Sequence, residues 1–121
     1  MAQFKHTIHN FDKAALVMLD SRKNRNGDVV LGNNTVLREI RTVDGVQYAI
    51  RLHNTNVVTY TEDGRIILNT GGFYSTTTAD RMNAFTPGLV KINRRKGEFV
   101  LSFWLGSWQE QGTFSQHFTI L

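Results

Sequence analysis

The sequence predicts a mainly β protein of the α+β class: a twisted antiparallel sheet or a partly open barrel, with an N-terminal helix and one short central helix. From Val29 onward, apolar residues recur with a period of two, which is typical of half-buried strands. These runs are short and are separated by turn signals such as Asp44–Gly45 and Glu62–Gly64. Short strands at regular spacing, with two short helices, fit a sheet that twists or closes in part.

The first helix is predicted at about residues 11–21. Apolar side chains recur within it at helical spacing, and Asn10 precedes it as a candidate N-cap. The polar run at 21–27 consists of turn-forming residues and predicts a loop. Residues 1–10 are expected to form a short strand or an arm.

The central helix is predicted to begin at Thr77–Asp80, which matches a capping box with aspartate in the place of glutamate. It is expected to extend to about Phe85, because Pro87, the only proline, cannot continue a helix. A helix N-terminus can also hold an anion. Asp80 would bring its own negative charge to those amides, so the sequence favours the capping role.

The other segments are expected to pair as strands. The side chains of Arg51 and His53 share one strand face if the period of two continues through them. Thr113–Ile120 is predicted as one last strand, and Trp108 is predicted to be exposed in a polar loop at Gly106–Gly112. The predicted hairpin arms are Val36–Val43 with Val46–Leu52, Asn56–Thr61 with Arg65–Asn69, and Leu89–Asn93 with Gly97–Trp104.

Size and composition predict a single domain over 1–121, with an arm and helix in 1–26 and a β-rich body in 27–121. The absence of cysteine excludes disulfides and thiolate metal sites. The net charge is +4, and cations cluster at Arg22–Arg25 and at Arg94–Lys96. Such clusters can attract nucleic acid or acidic partners. The alternative is that they are solvated loops without a partner. No secretory signal is recognisable, and no apolar run is long enough to span a bilayer, so the expected compartment is the cytoplasm.

Polar residues that suit ligand binding concentrate between residues 33 and 83, at strand ends and turns. Their charges, amides and planar groups are those that phosphates and base edges use. The alternative is that Asn, Thr and Gly are there only as turn residues. The candidate ligand-binding residues are Asn34, Thr35, Arg51, His53, Asn54, Gly71, Gly72, Thr77, Arg81 and Asn83.

No catalytic, cofactor or metal motif is present. The chain has no phosphate loop, dinucleotide fingerprint or serine elbow, and its four histidines are scattered. Catalysis with His53 as general base, oriented by Asp63 or Asp80, is left as an alternative. The sequence therefore predicts no cofactor and no metal, and it favours a binding protein over an enzyme. Among the aromatic residues, Trp108, Phe73 and Tyr74 are the candidates for exposed rings.

An ordered set of motifs resembles a family of small, uncharacterised proteins of tailed bacteriophages. The family pattern reads GNNT, RLHxTxIV, SGGW and TTKDRIN over roughly residues 21–88. This chain departs from the pattern at three positions: it has Thr70 for serine, Phe73 for tryptophan and Ala79 for lysine. The change at Ala79 removes a positive charge from the possible anion site at the start of the central helix. The matching segments are Gly32–Thr35 (GNNT), Arg51–Val58 (RLHNTNVV), Thr70–Phe73 (TGGF) and Thr77–Asn83 (TTADRMN). The resemblance implies a phage origin and no particular mechanism.

The leading hypothesis is a phage-encoded binding protein of the host cytoplasm that recognises nucleic acid or a nucleotide through the polar and basic surface of 33–83. Its binding should weaken steeply with salt. Three alternatives stay open: an inhibitor module that docks on a host enzyme or defence protein through Phe73 and Trp108, a nucleotide-directed enzyme, and a virion component. The side chains assigned to phosphate are Arg51, His53 and Arg81, and those assigned to polar edges are Asn34, Asn54 and Asn83.

Overall fold

The structure is a computed structural model that describes residues 4–114 and 116–120. It contains two antiparallel sheets and two helices. Along the chain the elements are α1 (Phe11–Asp20), β1 (Val29–Gly32), β2 (Thr35–Thr42), β3 (Gly45–Leu52), β4 (Thr55–Thr61), β5 (Ile66–Asn69), α2 (Thr76–Ala84), β6 (Val90–Arg95), β7 (Glu98–Trp104), β8 (Trp108–Phe114) and β9 (His117–Ile120).

The predicted fold class is confirmed. The larger sheet has the strand order β1-β2-β3-β4-β5-β9 and the smaller one β6-β7-β8. Neither sheet closes into a barrel within the described residues. Every strand pair is antiparallel. Neither helix of the described chain is long and apolar enough to cross a membrane.

The predicted hairpins form, but the β2–β3 turn lies one residue earlier than expected. Thr42 pairs with Gly45, so the turn residues are Val43 and Asp44. Gly45 has a φ of +130°, and its N-terminal neighbours Val43 and Asp44 keep negative φ values. Glycine therefore begins the strand here instead of completing the turn, because it tolerates the backbone conformation at that position.

One face of the larger sheet is covered by α1. As predicted, Asn10 caps this helix: its Oδ1 accepts the backbone N–H of Lys13 at 2.8 Å. The ring of Phe11 contacts that of Tyr48, with centroids 5.0 Å apart. Tyr48, Ile50 and Leu52 alternate along β3 and are all buried.

The buried hydroxyl of Tyr60 joins three parts of the chain. It donates to the backbone carbonyl oxygens of Ile8, at 3.2 Å, and of Phe85. Burial raises the pKa of Tyr60, so this hydroxyl stays protonated and remains a donor. The N-terminal segment and the end of α2 are thereby tied to the C-terminal end of β4. The described N-terminal residues form an arm and not a strand.

The expected last strand is in fact two strands in different sheets. Phe114 pairs with Phe99 in the smaller sheet, whereas Phe118 pairs with Leu68 in the larger one. Both phenylalanine rings join one aromatic cluster, with Phe99–Phe114 at 5.9 Å and Phe114–Phe118 at 5.8 Å between centroids. The alternation of apolar residues continues across the break, which is why the sequence suggested a single strand.

The position of Trp108 is a second correction. It lies in β8 and pairs with Trp104, instead of lying in a loop. The predicted exposure is nevertheless found, because 43% of its surface is accessible.

Candidate functional site

A cavity of about 370 Å³ opens at one end of the larger sheet. Three segments form it: the β3–β4 connection with the ends of both strands, the Thr70–Phe73 turn after β5, and the start of α2. We call this cavity the turn pocket. Its volume falls within the range of small-molecule sites in proteins.

The floor of the turn pocket is apolar. Leu52 ends β3, and Val57 lies in β4; both are buried and both line the cavity. The pairing of β3 with β4 shifts between Ile50 and Arg51, which leaves Val57 as an extra residue on β4. Such a bulge redirects a side chain, and here it accompanies a valine that lines the pocket.

The β3–β4 turn presents His53 and Asn54 to the pocket, and both are exposed. His53 has a φ of +53°, a left-handed conformation that is uncommon outside glycine. Its backbone N–H donates to the carbonyl oxygen of Asn34 at 2.9 Å. The β1–β2 turn thus supports the β3–β4 turn from the side.

The opposite wall is the turn after β5. The amide of Gly71 donates to Asn69 Oδ1 at 2.9 Å, and that of Gly72 to Thr70 Oγ1 at 3.1 Å. Gly71 has a φ of +64°, and a Cβ there would lie 2.5 Å from Thr55 Oγ1. Glycine is therefore needed at position 71 both for its backbone angle and for close approach to β4.

Phe73 follows this turn and stands at the mouth of the pocket. It is 67% exposed although it is a large aromatic side chain. Its backbone N–H donates to the carbonyl oxygen of Thr70 at 3.0 Å, which fixes where the residue leaves the turn. An exposed ring in this position offers one face to a ligand.

The start of α2 supplies hydroxyl groups. The N-cap is Ser75, whose Oγ accepts the backbone N–H of Thr78 at 3.2 Å. The capping box predicted at Thr77–Asp80 is therefore wrong: the helix begins at Thr76, and Asp80 lies beyond the cap on the exposed surface. Thr77 does not cap the helix, and it lines the pocket together with Ser75 and Thr78.

The structure brings together part of the candidate set. His53, Asn54 and Thr77 line the turn pocket, and Gly71 and Gly72 lie in the turn between its lining residues Thr70 and Phe73 without lining it themselves. The other five candidates do not line it: Asn34, Thr35, Arg51, Arg81 and Asn83. The expected common face of Arg51 and His53 is wrong, because β3 ends at Leu52 and His53 belongs to the turn.

Arg81 and Thr35 form a contact beside the pocket. Arg81 Nε donates to Thr35 Oγ1 at 3.2 Å, and its Nη2 donates to the carbonyl oxygen of Asn33 at 3.2 Å. The same guanidinium lies 5.1 Å from the ring centroid of Phe4. This arginine links α2 to the β1–β2 turn and to the N-terminal arm.

The side chain of Asn83 forms hydrogen bonds with the smaller sheet. Its Nδ2 donates to the carbonyl oxygen of Ile92 at 2.8 Å, and its Oδ1 accepts the N–H of Ile92 at 2.7 Å. The Asn83 side chain therefore forms hydrogen bonds with both the N–H and the C=O of Ile92 on the edge strand β6, as a neighbouring strand would. Arg51 is also engaged, since its Nη1 donates to Asn56 Oδ1 at 3.1 Å.

Sequence reasoning missed several residues of the pocket. Ser75 carried a readable signal, because a serine immediately before the threonine run is a strong N-cap candidate. The others became visible only through the fold, since they line the site from different strands and turns: Leu52, Thr55, Val57, Thr70 and Thr78.

The lining of the turn pocket carries no carboxylate, lysine or arginine among the residues that the structure describes. Asp63, proposed as a partner for His53, lies at the other end of β4, about 20 Å along the seven-residue strand. Hydrogen bonds from Thr61 and Arg65 lower the pKa of Asp63. The other proposed partner, Asp80, does not line the pocket either. Apart from His53, the described lining of the turn pocket is therefore made of apolar, hydroxyl and amide side chains.

Residues 10–119 match a family model described as Kyanoviridae Gp96 protein. The chain belongs to that family. The phage origin implied by the motif resemblance is thereby supported, and the match extends well beyond the 21–88 segment that carried it. No curated protein and no solved structure matches the chain. The turn pocket lies wholly within the matched residues.

Proposed function

We propose that this Gp96 family member is a phage-encoded binding protein whose turn pocket holds the nucleoside part of a nucleotide or of a nucleic-acid end. The observation that carries the proposal is the make-up of the lining. An apolar floor, an exposed aromatic ring and a rim of hydroxyl, amide and imidazole groups surround about 370 Å³.

The apolar surfaces suit a flat ring. Leu52 and Val57 are buried at the floor, and the exposed face of Phe73 stands at the mouth. A nucleobase stacked on an aromatic side chain contributes about 1–3 kcal/mol to binding, whichever base it is.

The polar groups suit the edges of a base and the hydroxyls of a ribose. Asn54 carries one acceptor and two donors in a plane, and His53 carries a donor and an acceptor when neutral. Thr77 can donate and accept at the same oxygen. Complementary hydrogen bonds of this kind give discrimination between bases.

The charge of the lining changes the expectation that binding weakens steeply with salt. Because no cation lines the pocket within the described chain, a phosphate attached to the ligand would lie outside it. Binding in the turn pocket should therefore depend weakly on salt, in contrast to the steep dependence of a phosphate-binding surface. Nucleosides and nucleotides should bind with similar affinities.

The backbone of His53 allows a substitution that separates ligand binding from stability. A non-glycine residue in the left-handed region costs roughly 1 kcal/mol, and asparagine or glycine would lower that cost at this turn. Asn34 and Lys96 have the same left-handed backbone in other hairpin turns, so the conformation belongs to the turn. We therefore expect His53→Asn to leave stability unchanged or slightly higher while it weakens ligand binding.

The test is calorimetric titration with adenosine, guanosine, cytidine and uridine, their 5′-monophosphates, and free ribose. Phe73→Ala removes the stacking surface from an exposed position, so the fold should persist. Its matched control is Leu19→Ala, which removes a similarly exposed apolar side chain (76% exposed) from α1, away from the pocket. A loss of 1.4 kcal/mol corresponds to a tenfold weaker complex.

The proposal predicts at least one nucleoside that binds, about tenfold weaker binding by Phe73→Ala, and unchanged binding by Leu19→Ala. Ribose alone should bind far more weakly than its nucleosides. Equal binding of ribose and nucleosides, or equal losses in the two variants, would refute a base-stacking pocket.

A second function, docking on a host protein, is favoured by a different observation. Trp104 and Trp108 are each 43% exposed and lie 5.5 Å apart at one end of the smaller sheet, beside the exposed Leu89 and Leu105. Exposed tryptophans of this kind are frequent energetic centres of protein interfaces. If this role holds, Trp104→Ala with Trp108→Ala should abolish capture of a nuclease-resistant host protein that Phe73→Ala still captures.

A further inference from the structure

We propose that the cleft between the N-terminal arm and the loop after α1 is a binding site for phosphate groups, separate from the turn pocket. This arm–loop cleft has a volume of about 300 Å³. The residues that carry the argument are Lys5 and His6 from the arm, and Ser21, Arg22, Lys23 and Asn24 from the loop.

The fold concentrates positive charge in the cleft. Arg22 and Lys23 are neighbours in sequence, but Lys5 comes from a segment 17 residues earlier and meets them only in the folded chain. No carboxylate is among the cleft's lining residues in the described chain. Three cations without a counter-charge of their own attract an anion.

Two acids flank the cationic loop in sequence: Asp20, the exposed last residue of α1, does not line the cleft, and Asp28 is held away from it. Asp28 is buried and forms a two-pronged ion pair with Arg38, with Nε to Oδ1 at 3.0 Å and Nη2 to Oδ2 at 2.8 Å. Its negative charge is therefore neutralised by a partner on β2. The positive charges of the cleft are left for a ligand.

Both walls of the cleft are held by backbone hydrogen bonds. On the arm, the N–H of Lys5 donates to the carbonyl oxygen of Leu31 at 3.0 Å. In the loop, the N–H of Asn24 donates to the carbonyl oxygen of Asp28 at 2.8 Å, and Asn24 Oδ1 accepts the N–H groups of Asn26 and Asp28, each at 3.0 Å. The cleft is thus formed before a ligand arrives, which lowers the entropic cost of binding.

The chemistry of the cations favours phosphate over carboxylate. The arginine fork of Arg22 matches two oxygens of one phosphate, and the ammonium groups of Lys5 and Lys23 act as point charges around it. Lys23 Nζ already donates to the carbonyl oxygen of Ser21 at 3.0 Å, which keeps that ammonium at the loop. A phosphodiester chain or a free phosphate could supply the ligand, and an acidic protein surface is the competing partner.

The test measures binding of a fluorescently labelled twelve-residue oligothymidylate by anisotropy, at 50 and 200 mM NaCl, with the full chain. The cleft variant is the double substitution Arg22→Gln with Lys23→Gln. Its matched control, Arg94→Gln with Lys96→Gln, removes the same charge from exposed positions around the other cluster. Lys5→Gln is the decisive single variant, because only the fold places Lys5 at the cleft.

We expect the cleft variant to bind the oligonucleotide at least roughly tenfold more weakly at 50 mM NaCl. The slope of the logarithm of the binding constant against the logarithm of the salt concentration should become shallower by about 1.4, because two phosphate contacts on a single strand are lost. Lys5→Gln should weaken binding in the same direction, and the control should retain most of the affinity. Phe73→Ala should leave the salt slope of this binding unchanged, because no lysine or arginine lines the turn pocket in the described chain, and this separates the cleft from the turn pocket. Thermal unfolding of each variant confirms that it is folded.

Competition identifies the source of the phosphate. If inorganic phosphate displaces the oligonucleotide far better than chloride at equal ionic strength, single phosphate groups suffice; if it does not, the cleft requires the polymer. Equal losses in the cleft variant and its control would overturn the proposal, since they would reflect net charge alone. The proposal also fails if no oligonucleotide and no phosphate binds, or if polyglutamate binds as tightly as the oligonucleotide.

Discussion

Replacing Gly71 by alanine tests how closely the turn after β5 lies against β4. The new Cβ would lie 2.5 Å from Thr55 Oγ1 and 2.8 Å from its Cγ2, closer than atoms pack in proteins. Alanine at a φ of +64° costs roughly 1 kcal/mol, and forcing a methyl group into an occupied site adds about 1–3 kcal/mol. The expected loss in the free energy of unfolding is therefore about 2–4 kcal/mol.

Gly72→Ala is the matched control for this prediction. Its φ is also positive, at +86°, but a Cβ there meets no atom within 4 Å. It should cost only the backbone contribution of roughly 1 kcal/mol. The difference between the two variants then measures the contact with Thr55.

A double-mutant cycle confirms the origin of that difference. Thr55→Ala removes the two nearest atoms, so Gly71→Ala should cost about 1 kcal/mol less in that background. The assay is urea unfolding, with the free energies compared at an unchanged m-value. Equal costs for Gly71→Ala and Gly72→Ala, or the same cost with and without Thr55, would refute the packing argument.

Three further substitutions test other parts of the account. Tyr60→Phe should lower the free energy of unfolding by about 1–3 kcal/mol in urea unfolding, because two buried carbonyl oxygens lose their donor. Tyr48→Phe should lower it by less, because the hydroxyl of Tyr48 donates to the less buried carboxylate of Glu39. Arg38→Met should cost about 3 kcal/mol by the same assay, since it leaves the buried Asp28 carboxylate unpaired, and a loss below 1 kcal/mol would contradict that pairing. The lowered pKa of Asp63 means that its contribution to stability is present above the ordinary aspartate pKa and is lost as the pH falls through the folded-state pKa. Asp63→Asn should therefore flatten the acid limb of a stability–pH curve and leave its slope above pH 6 unchanged, and an unchanged acid limb would count against the interaction.

Local patterns were sufficient to predict most of the elements. The period of two and the turn signals predicted the β2–β3, β4–β5 and β6–β7 hairpins, and Asn10 marked the start of α1. Position within a turn was harder, because a glycine can end a turn or begin the next strand. Gly45 does the latter, which moved the hairpin turn by one residue.

Contacts between distant parts of the chain limited prediction of the site. Asn83 was a candidate ligand residue because its amide is polar, but that amide is paired with the backbone of Ile92. The sequence gives no sign of this pairing, which depends on where α2 meets β6. The close approach of Gly71 to Thr55 is hidden in the same way, since the two residues are joined only by the folding of β4 and β5.

The central claim is that the turn pocket binds a nucleoside, and amide chemical-shift mapping tests it most directly. A ¹⁵N-labelled sample is titrated with adenosine and then with uridine, and the same titrations are repeated with Phe73→Ala. We expect shifts confined to residues 52–57 and 70–78, and much smaller shifts in the variant. Shifts centred elsewhere, or the same shifts in Phe73→Ala, would contradict it.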